Sequence, residues 1–131
     1  MTPAAATEIE KLILEWAQAV RNEDLAGIRA HHAPDFLMFD VPPPFLSRGL
    51  DAYMETWKLF YSSQAKPITF DFEQIEVTAG NDVAYATAIG TCGYIERGER
   101  TALKFRLTMG FQKRDDQWVI IHEHHSIPAE S

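Results

Sequence analysis

The chain of 131 residues has little of what marks several large classes of protein. Its single cysteine, Cys92, excludes an internal disulfide and suits a reducing compartment. Lysine and arginine number 12 against 19 acidic residues, and the net charge of −7 argues against binding to a phosphate backbone. No apolar run approaches the roughly 20 residues of a membrane span, and the N-terminus lacks a signal-peptide pattern. We therefore expect a cytoplasmic protein without nucleic-acid or membrane partners.

Several chemical motifs are absent as well. There is no glycine-rich phosphate loop, no nucleophile elbow and no paired-cysteine motif, which argues against nucleotide, serine-hydrolase and zinc-finger functions. His122 and His124 are spaced so that both could reach one metal ion. The carboxylate of Asp40 or Glu123 could complete such a site only if the two faces of a strand met. We therefore predict no metal and no cofactor.

Before residue 67, three segments have the apolar spacing of helices, and a short strand lies between the second and the third. Thr7 and Glu10 form a capping-box pattern, which predicts a helix over residues 8–22 and a disordered tail over residues 1–7. Asp24 is placed to cap a second helix over residues 25–32, and Pro34 would end that helix. His31 and His32 would then lie at a solvated helix end. A strand over residues 36–40 and a proline loop follow, and a third helix starts at Ser47 or Gly49.

The sequence after residue 67 has the pattern of four strands, over residues 68–78, 83–95, 100–113 and 118–128. The apolar phase slips within the first of them, which predicts a β-bulge. Strands longer than the usual five or six residues are expected to curl. With 46% hydrophobic residues, enough for one core, these elements predict a single α+β domain over residues 1–131. In it, a cone-shaped, curved antiparallel sheet wraps the N-terminal helices.

The last strand combines apolar residues with three histidines and a glutamate. Because strand side chains alternate between two faces, one face would carry Trp118, Ile120, His122, His124 and Ser126. The other face would carry Val119, Ile121, Glu123, His125 and Ile127. Glu123 and His125 at i, i+2 form either an acid/base pair or a structural ion pair. Asp40, beside aromatic residues and prolines, is either a general base or a residue that caps the proline loop.

The order of elements, with the segments at residues 82–86 and 114–128, resembles the SnoaL-like and ketosteroid isomerase-like branches of the nuclear transport factor 2-like superfamily. The C-terminal segment also resembles the association domain of calcium/calmodulin-dependent kinase II. The resemblance covers about residues 8–128. It implies a cone with a pocket at its open end and a homodimer formed through the outer face of the sheet, where His122, His124 and Ser126 would lie. A fold of this kind hosts many functions.

Ketosteroid isomerase offers a comparison by residue. Its catalytic-base segment resembles residues 33–42, which implies that Asp40 is the aspartate that shuttles protons. The same comparison puts Trp16 at the position of the oxyanion-hole tyrosine and Leu107 at that of the partner acid. Trp16 could donate one N–H, whereas Leu107 has no donor. An oxyanion hole usually supplies a large part of the rate enhancement. Because Leu107 cannot contribute a donor to it, the chain departs from that family's mechanism at this position.

The resemblance also predicts which side chains face the cavity. On the strands these are Tyr85, Thr87, Ile89, Leu107, Met109, Ile121, Glu123 and His125. With Trp16, Phe36, Met38, Tyr53 and Trp57 they would line a hydrophobic pocket for a flat or apolar ligand, although each one alone is more often ordinary core. The resulting hypothesis is a cofactor-independent enzyme, of the isomerase, cyclase or dehydratase type, that transfers protons on an apolar carbonyl compound. Asp40, His125 and Glu123 would be its catalytic residues. The alternative is a non-catalytic module for ligand binding or dimerisation.

Overall fold

The computed structural model of the protein describes residues 3–129. Its N-terminal part contains α1 (Pro3–Arg21), α2 (Leu25–Arg29), β1 (His32–Phe39), β2 (Ser47–Arg48) and α3 (Leu50–Ser62). Its C-terminal part contains β3 (Phe70–Ala79), β4 (Val83–Glu96), β5 (Glu99–Arg114) and β6 (Gln117–Ser126). The predicted α+β architecture is confirmed, and β2 is an additional strand that the sequence pattern does not indicate.

The first helix is longer than predicted. It begins at Pro3, so the predicted cap at Thr7 and the predicted disorder of residues 3–7 are wrong; residues 1–2 of that tail lie outside the described range. A proline is well tolerated in the first turn of a helix, and the alanines at positions 4–6 are strong helix formers. The apolar face of α1 is buried in the core, as its spacing predicts.

The second helix is shorter than predicted. The Asp24 side chain accepts a hydrogen bond from the Gly27 backbone N–H at 3.0 Å, so the predicted cap is confirmed. The helix ends at Arg29, and His31 adopts a left-handed conformation with φ of 64°. Because that conformation cannot continue a right-handed helix, the chain turns and enters β1 at His32. This early turn moves His32 from a helix end into the sheet.

All six strands form one curved sheet in the order β2-β1-β6-β5-β4-β3. Every neighbouring pair is antiparallel except β1 and β6, which run parallel. Since β2 and β3 are free edges, the sheet is not closed and the term barrel does not apply. No helix within residues 3–129 is long and apolar enough to cross a membrane.

Register shifts occur in three strand pairs of the described sheet: one lies in β1 between His32 and Leu37, and the other two are bulges in β3 and β6. The predicted bulge in β3 is confirmed: the register shifts between Glu73 and Glu76, where Gln74 has a positive φ of 55°. A second bulge lies in β6, because Phe111 pairs with Ile120 whereas Gly110 pairs with His122. Ile121 is the extra residue. Side chains on β6 therefore change face at this point, and the simple alternation predicted for the strand is wrong.

The inner face of β4 carries small residues instead of the predicted large ones. Ala84, Ala86 and Ala88 are buried, whereas Tyr85, Thr87 and Ile89 occupy the opposite face, and Tyr85 is 52% exposed. Aromatic rings from neighbouring strands take up the inner space. A Cβ atom built on Gly90 would lie 2.3 Å from the Phe105 ring and 2.7 Å from the Phe72 ring. At position 90 of β4, therefore, a residue without a Cβ fits best beneath these rings.

Candidate functional site

A cavity of about 360 Å³ lies between the sheet, α3 and the proline loop. Its wall is mainly apolar and includes Trp57, Phe60, Phe70, Leu103 and Phe105. The loop at residues 41–44 and the C-terminal end of α3 also line it. Three polar side chains come from the β2-β1-β6 part of the sheet: Ser47, Asp40 and His125. The cavity is suited to a mainly apolar molecule that makes a small number of polar contacts with the wall.

Next to the cavity, Glu123 is fully buried and accepts three hydrogen bonds from side chains. His32 Nε2 and Tyr53 Oη each lie 2.8 Å from Glu123 Oε2, and His125 Nε2 lies 3.0 Å from Oε1. Tyr53 Oη in turn accepts a hydrogen bond from the Trp16 indole N–H at 3.0 Å. Together these five side chains form a continuous buried polar network, which we call the Glu123 network.

The environment of Glu123 keeps it ionised. Burial raises the pKa of this carboxyl group, but the hydrogen bonds from His125 and His32 and the charges of the two imidazoles outweigh burial. The pKa of Glu123 is therefore lowered from 4.5 to about 2. The same network raises the pKa of Tyr53 well above its ordinary value, through burial first and the Glu123 charge second. At neutral pH the network holds a carboxylate and a neutral phenol.

His125 connects this network to the cavity. Its ring is stacked on Phe105, with centroids 5.5 Å apart and planes 16° from parallel, and packs edge-on against Trp16. Its Nε2 is engaged by Glu123, which leaves Nδ1 as the nitrogen available to a ligand. Burial lowers the pKa of His125, but the hydrogen bond to Glu123 and the charges of Glu123 and Asp40 raise it overall. His125 is thus a fixed imidazole with a populated cationic form.

Asp40 lies immediately after β1, at the cavity wall. In the parallel β1–β6 register Met38 pairs with Glu123 and Phe39 with His124, so the next residues along the two strands are Asp40 and His125. Neighbouring strands lie about 4.8 Å apart, which brings these two side chains onto one stretch of wall. Asp40 Oδ1 accepts a hydrogen bond from the Val41 backbone N–H at 2.8 Å.

The residues predicted to bind a ligand fall into three groups. Met38 and Trp57 line the cavity, as do the predicted catalytic residues Asp40 and His125. A second group belongs to the buried core and does not line the cavity: Trp16, Phe36, Tyr53, Leu107 and Met109. The third group lies off the inner face because of the β4 alternation and the β6 bulge: Tyr85, Thr87 and Ile121. The Trp16 N–H, predicted as a donor to ligand, is used by Tyr53 instead.

The sequence prediction missed two polar residues of the site. His32 is buried in the Glu123 network and not solvated at a helix end. No strand periodicity could have placed it there, because Pro34 of the same parity is exposed and the β1–β6 register shifts between His32 and Leu37. Ser47 is 5% exposed and lines the cavity, and no residue in the described range hydrogen-bonds to its hydroxyl. It lies on the two-residue strand β2, which is too short for a pattern.

His122 and His124 lie on the outer face of the sheet, as the sequence predicts, on either side of Phe39. His122 Nδ1 lies 2.7 Å from the Leu37 carbonyl oxygen, to which it donates. Among residues 3–129, no group of three or more histidine, cysteine, aspartate or glutamate side chains could hold a metal ion.

The architecture is that of a nuclear transport factor 2-like protein and corresponds to the cystatin-like fold. More specifically, the chain belongs to the SnoaL-like domain family, whose model matches residues 9–130. A nuclear transport factor 2-like protein of unknown function from Pseudomonas putida KT2440 is 35% identical and superimposes with a TM-score of 0.88. That match covers 98% of this chain and 89% of the other.

Two more distant solved structures show the fold alone. One is a ketosteroid isomerase-like protein from Erwinia carotovora atroseptica SCRI1043, at 14% identity and a TM-score of 0.80, covering 95% of this chain and 97% of the other. The second is a provisionally assigned calcium/calmodulin-dependent protein kinase II association domain from Xanthomonas campestris. It is 20% identical with a TM-score of 0.78, covering 95% of this chain and 88% of the other. A search of curated proteins gave no match.

Proposed function

We propose that the protein binds a small, uncharged, mainly apolar carbonyl compound and catalyses proton transfer on it. The observation that carries this proposal is that Asp40 and His125 line the same apolar cavity, with His125 held by the buried carboxylate of Glu123. Neither lysine nor arginine occurs among the residues that line the cavity, and the one cationic group, His125, lies beside the Asp40 carboxylate, which favours an uncharged ligand over a phosphate or other strong anion. The class of reaction corresponds to the isomerase or cyclase activities of the superfamily.

The geometry supports a division of roles between the two groups. The Asp40 carboxylate would remove a proton from the carbon next to the carbonyl, so that the electrons of the C–H bond form an enolate. The cationic form of His125, favoured by its raised pKa, would donate Nδ1–H to the enolate oxygen. In a substrate whose enolate is conjugated with a carbon–carbon double bond, return of the proton from Asp40 to the far carbon of that bond would shift the double bond and complete an isomerisation; in a simple ketone the proton returns to the same carbon. Glu123 would stabilise the imidazolium without touching the substrate.

Ser47 supplies a further polar contact. Its hydroxyl is on β2 opposite Met38, which in turn is opposite Glu123 on β6, so it lies on the same wall as Asp40 and His125. A ligand oxygen there would find a hydroxyl donor that no described residue occupies. This favours a ligand with a polar edge and an apolar body.

The proposal is tested by hydrogen exchange on a simple probe, 2-tetralone, an uncharged bicyclic ketone with acidic α-hydrogens. Proton NMR in D₂O measures the loss of the α-C–H signals with and without protein. We expect the wild type to accelerate exchange, and Asp40→Asn and His125→Gln each to lose about 10²-fold or more of the protein-dependent rate. Asp51→Asn is the matched control, because that aspartate is fully exposed on α3 and away from the cavity lining.

Two results would contradict the catalytic proposal. One is wild-type exchange in Asp40→Asn with an intact circular dichroism spectrum. The other is probe binding, seen as a change in the fluorescence of Trp57 in the cavity wall, without acceleration of exchange by the wild type. This second result would favour the alternative function, a non-catalytic ligand-binding module. The hydrogen bond between Asp40 Oδ1 and the Val41 N–H favours that alternative, since it engages one carboxylate oxygen with the adjacent backbone.

A further inference from the structure

His32, buried at the start of β1, has a hydrogen-bond acceptor at each of its two ring nitrogens. Nδ1 lies 3.1 Å from the Ala30 carbonyl oxygen, and Nε2 lies 2.8 Å from Glu123 Oε2. A neutral imidazole has one N–H, so one of its nitrogens would present a lone pair to an oxygen lone pair. An imidazolium has two N–H groups and satisfies both acceptors. The side chains of His32 and Glu123 are both fully enclosed, so water cannot replace either partner in the contact between them, and the Nδ1–Ala30 contact is partly buried.

We propose that His32 is a positioning residue, a buried imidazolium that keeps Glu123 ionised and thereby holds His125 with Nε2–H on Glu123 and Nδ1 free for the ligand. Glu123 then receives N–H groups from both histidines and O–H from Tyr53. A buried charge is tolerated only when it is paired and hydrogen-bonded, and the pair of His32 with Glu123 meets both conditions. The catalytic consequence rests on the proposed function, whereas the charge and tautomer states do not.

The ring contacts of His32 support a fixed position. Its ring packs against Phe36 and Tyr53, with centroids 5.0 Å and 4.8 Å away. Hydrogen bonds at both ends and aromatic rings on its sides leave the imidazole one orientation. Through Glu123, that orientation determines where the His125 ring can point. Such outer partners are the usual means by which proteins fix the tautomer of a functional histidine.

The charged and titratable groups around this pair come from each element that packs against it. Glu123 and His125 are on β6, Tyr53 is on α3, and Asp40 follows β1; Cys92 on β4 lines the same cavity. Burial and the Asp40 charge raise the pKa of the Cys92 thiol to about 11, and the pKa of Tyr53 is also raised, so neither adds charge near neutral pH. Removing the His32 charge would leave the Glu123 carboxylate to His125 alone, which would stabilise the His125 cation further.

The experiment uses the full chain with ¹⁵N-labelled histidine and long-range ¹H–¹⁵N NMR, which reports which ring nitrogens carry protons. In the wild type at pH 7 we expect both His32 nitrogens to have imidazolium shifts. When neutral, His125 is expected to carry its proton on Nε2. In His32→Gln, which keeps a neutral donor for Glu123, the titration midpoint of His125 should rise by on the order of one pH unit. His31→Gln, the exposed neighbour, should leave it unchanged.

A single protonated nitrogen on wild-type His32 at pH 7 would overturn the proposal, and this measurement does not depend on a variant that folds. A His125 midpoint in His32→Gln that stays or falls would also overturn it, because a residue that only fills space would not raise it. The pH profile of 2-tetralone exchange should shift upward with the His125 midpoint. The two proposals can fail separately. If the histidine NMR spectra are as expected but the protein does not accelerate 2-tetralone exchange, the proposed function is refuted and the assignment of His32 stands.

Discussion

Replacing Glu123 with glutamine should destabilise the protein strongly and in a pH-dependent way. Glu123→Gln keeps the shape of the side chain but removes the negative charge between His32 and His125. The pKa of Glu123 falls from 4.5 to about 2 on folding, and at 1.36 kcal/mol for each pKa unit this corresponds to about 3 kcal/mol of stability near neutral pH. Losing one partner of a buried ion pair typically costs a similar amount, about 3–5 kcal/mol.

The pH dependence follows from the directions of two pKa shifts. The pKa of Glu123 is lowered, so its contribution is present above pH 4.5 and is lost as the pH falls towards 2. The pKa of His125 is raised above 6.5, so its contribution is complete below pH 6.5 and is lost as the pH rises through the raised value. The stability difference between the wild type and Glu123→Gln should therefore be largest between about pH 4.5 and 6.5, and smaller at pH 9.

The assay is urea unfolding followed by circular dichroism at pH 5.5, 7 and 9, with thermal unfolding as a second measurement. A loss of about 3 kcal/mol corresponds to roughly 10 °C in Tm for a domain of this size. Glu76→Gln is the matched control, since this glutamate is exposed on β3 and should change stability by less than about 0.5 kcal/mol. Equal stability of Glu123→Gln and the wild type, or a difference that does not vary with pH, would refute the reasoning.

Two further predictions concern the packing of the sheet and its outer face. Gly90→Ala should lower the free energy of unfolding in urea by about 1–3 kcal/mol, because its Cβ would meet the Phe105 ring at 2.3 Å. Gly110→Ala, whose Cβ would have its nearest neighbour at 3.5 Å, should cost clearly less. Equal losses in the two variants would contradict this reasoning. We also propose that the outer face of β4, where Tyr85 is exposed, forms a homodimer contact. Tyr85→Lys should then lower the mass measured by sedimentation, while the control Leu59→Lys on α3 should leave the mass unchanged. A monomeric wild type would refute the contact.

The sequence predicts the type and order of most elements because periodicity reports which side of a helix or strand is buried. The faces of α1 and of β5 follow directly from the spacing of apolar residues. The errors come from features without a periodic signal. The left-handed conformation of His31 ends α2 earlier and starts β1 sooner than predicted. No local sequence pattern predicts this shift of the boundary between the helix and the strand. The strand β2 has two residues and exists because β1 offers it a partner.

The site is less predictable than the fold because it depends on contacts far apart in the sequence. Asp40, Glu123 and His125 can be proposed from residue type and resemblance, and the network partners cannot. His32 and Glu123 are 91 positions apart, and Tyr53 and Glu123 are 70 apart, so the sheet order and the packing of α3 on the sheet are needed to bring them together. The inner face of β4 illustrates the same limit: Gly90 has no room for a Cβ because rings from β3 and β5, Phe72 and Phe105, occupy that space.

The bulge at Ile121 connects the fold to the candidate chemistry. Without the extra residue, strict alternation from the buried Trp118 and Ile120 would direct His122 inward and Glu123 outward. With it, one strand buries apolar side chains at its start and the Glu123–His125 pair further along, beside the cavity. The bulge therefore places Glu123 and His125 on the inner face instead of His122 and His124, and bulges often lie next to functional sites because they redirect side chains. The mixed pattern of the last strand therefore reflects one insertion, and its two histidines on the outer face remain separate from the candidate site.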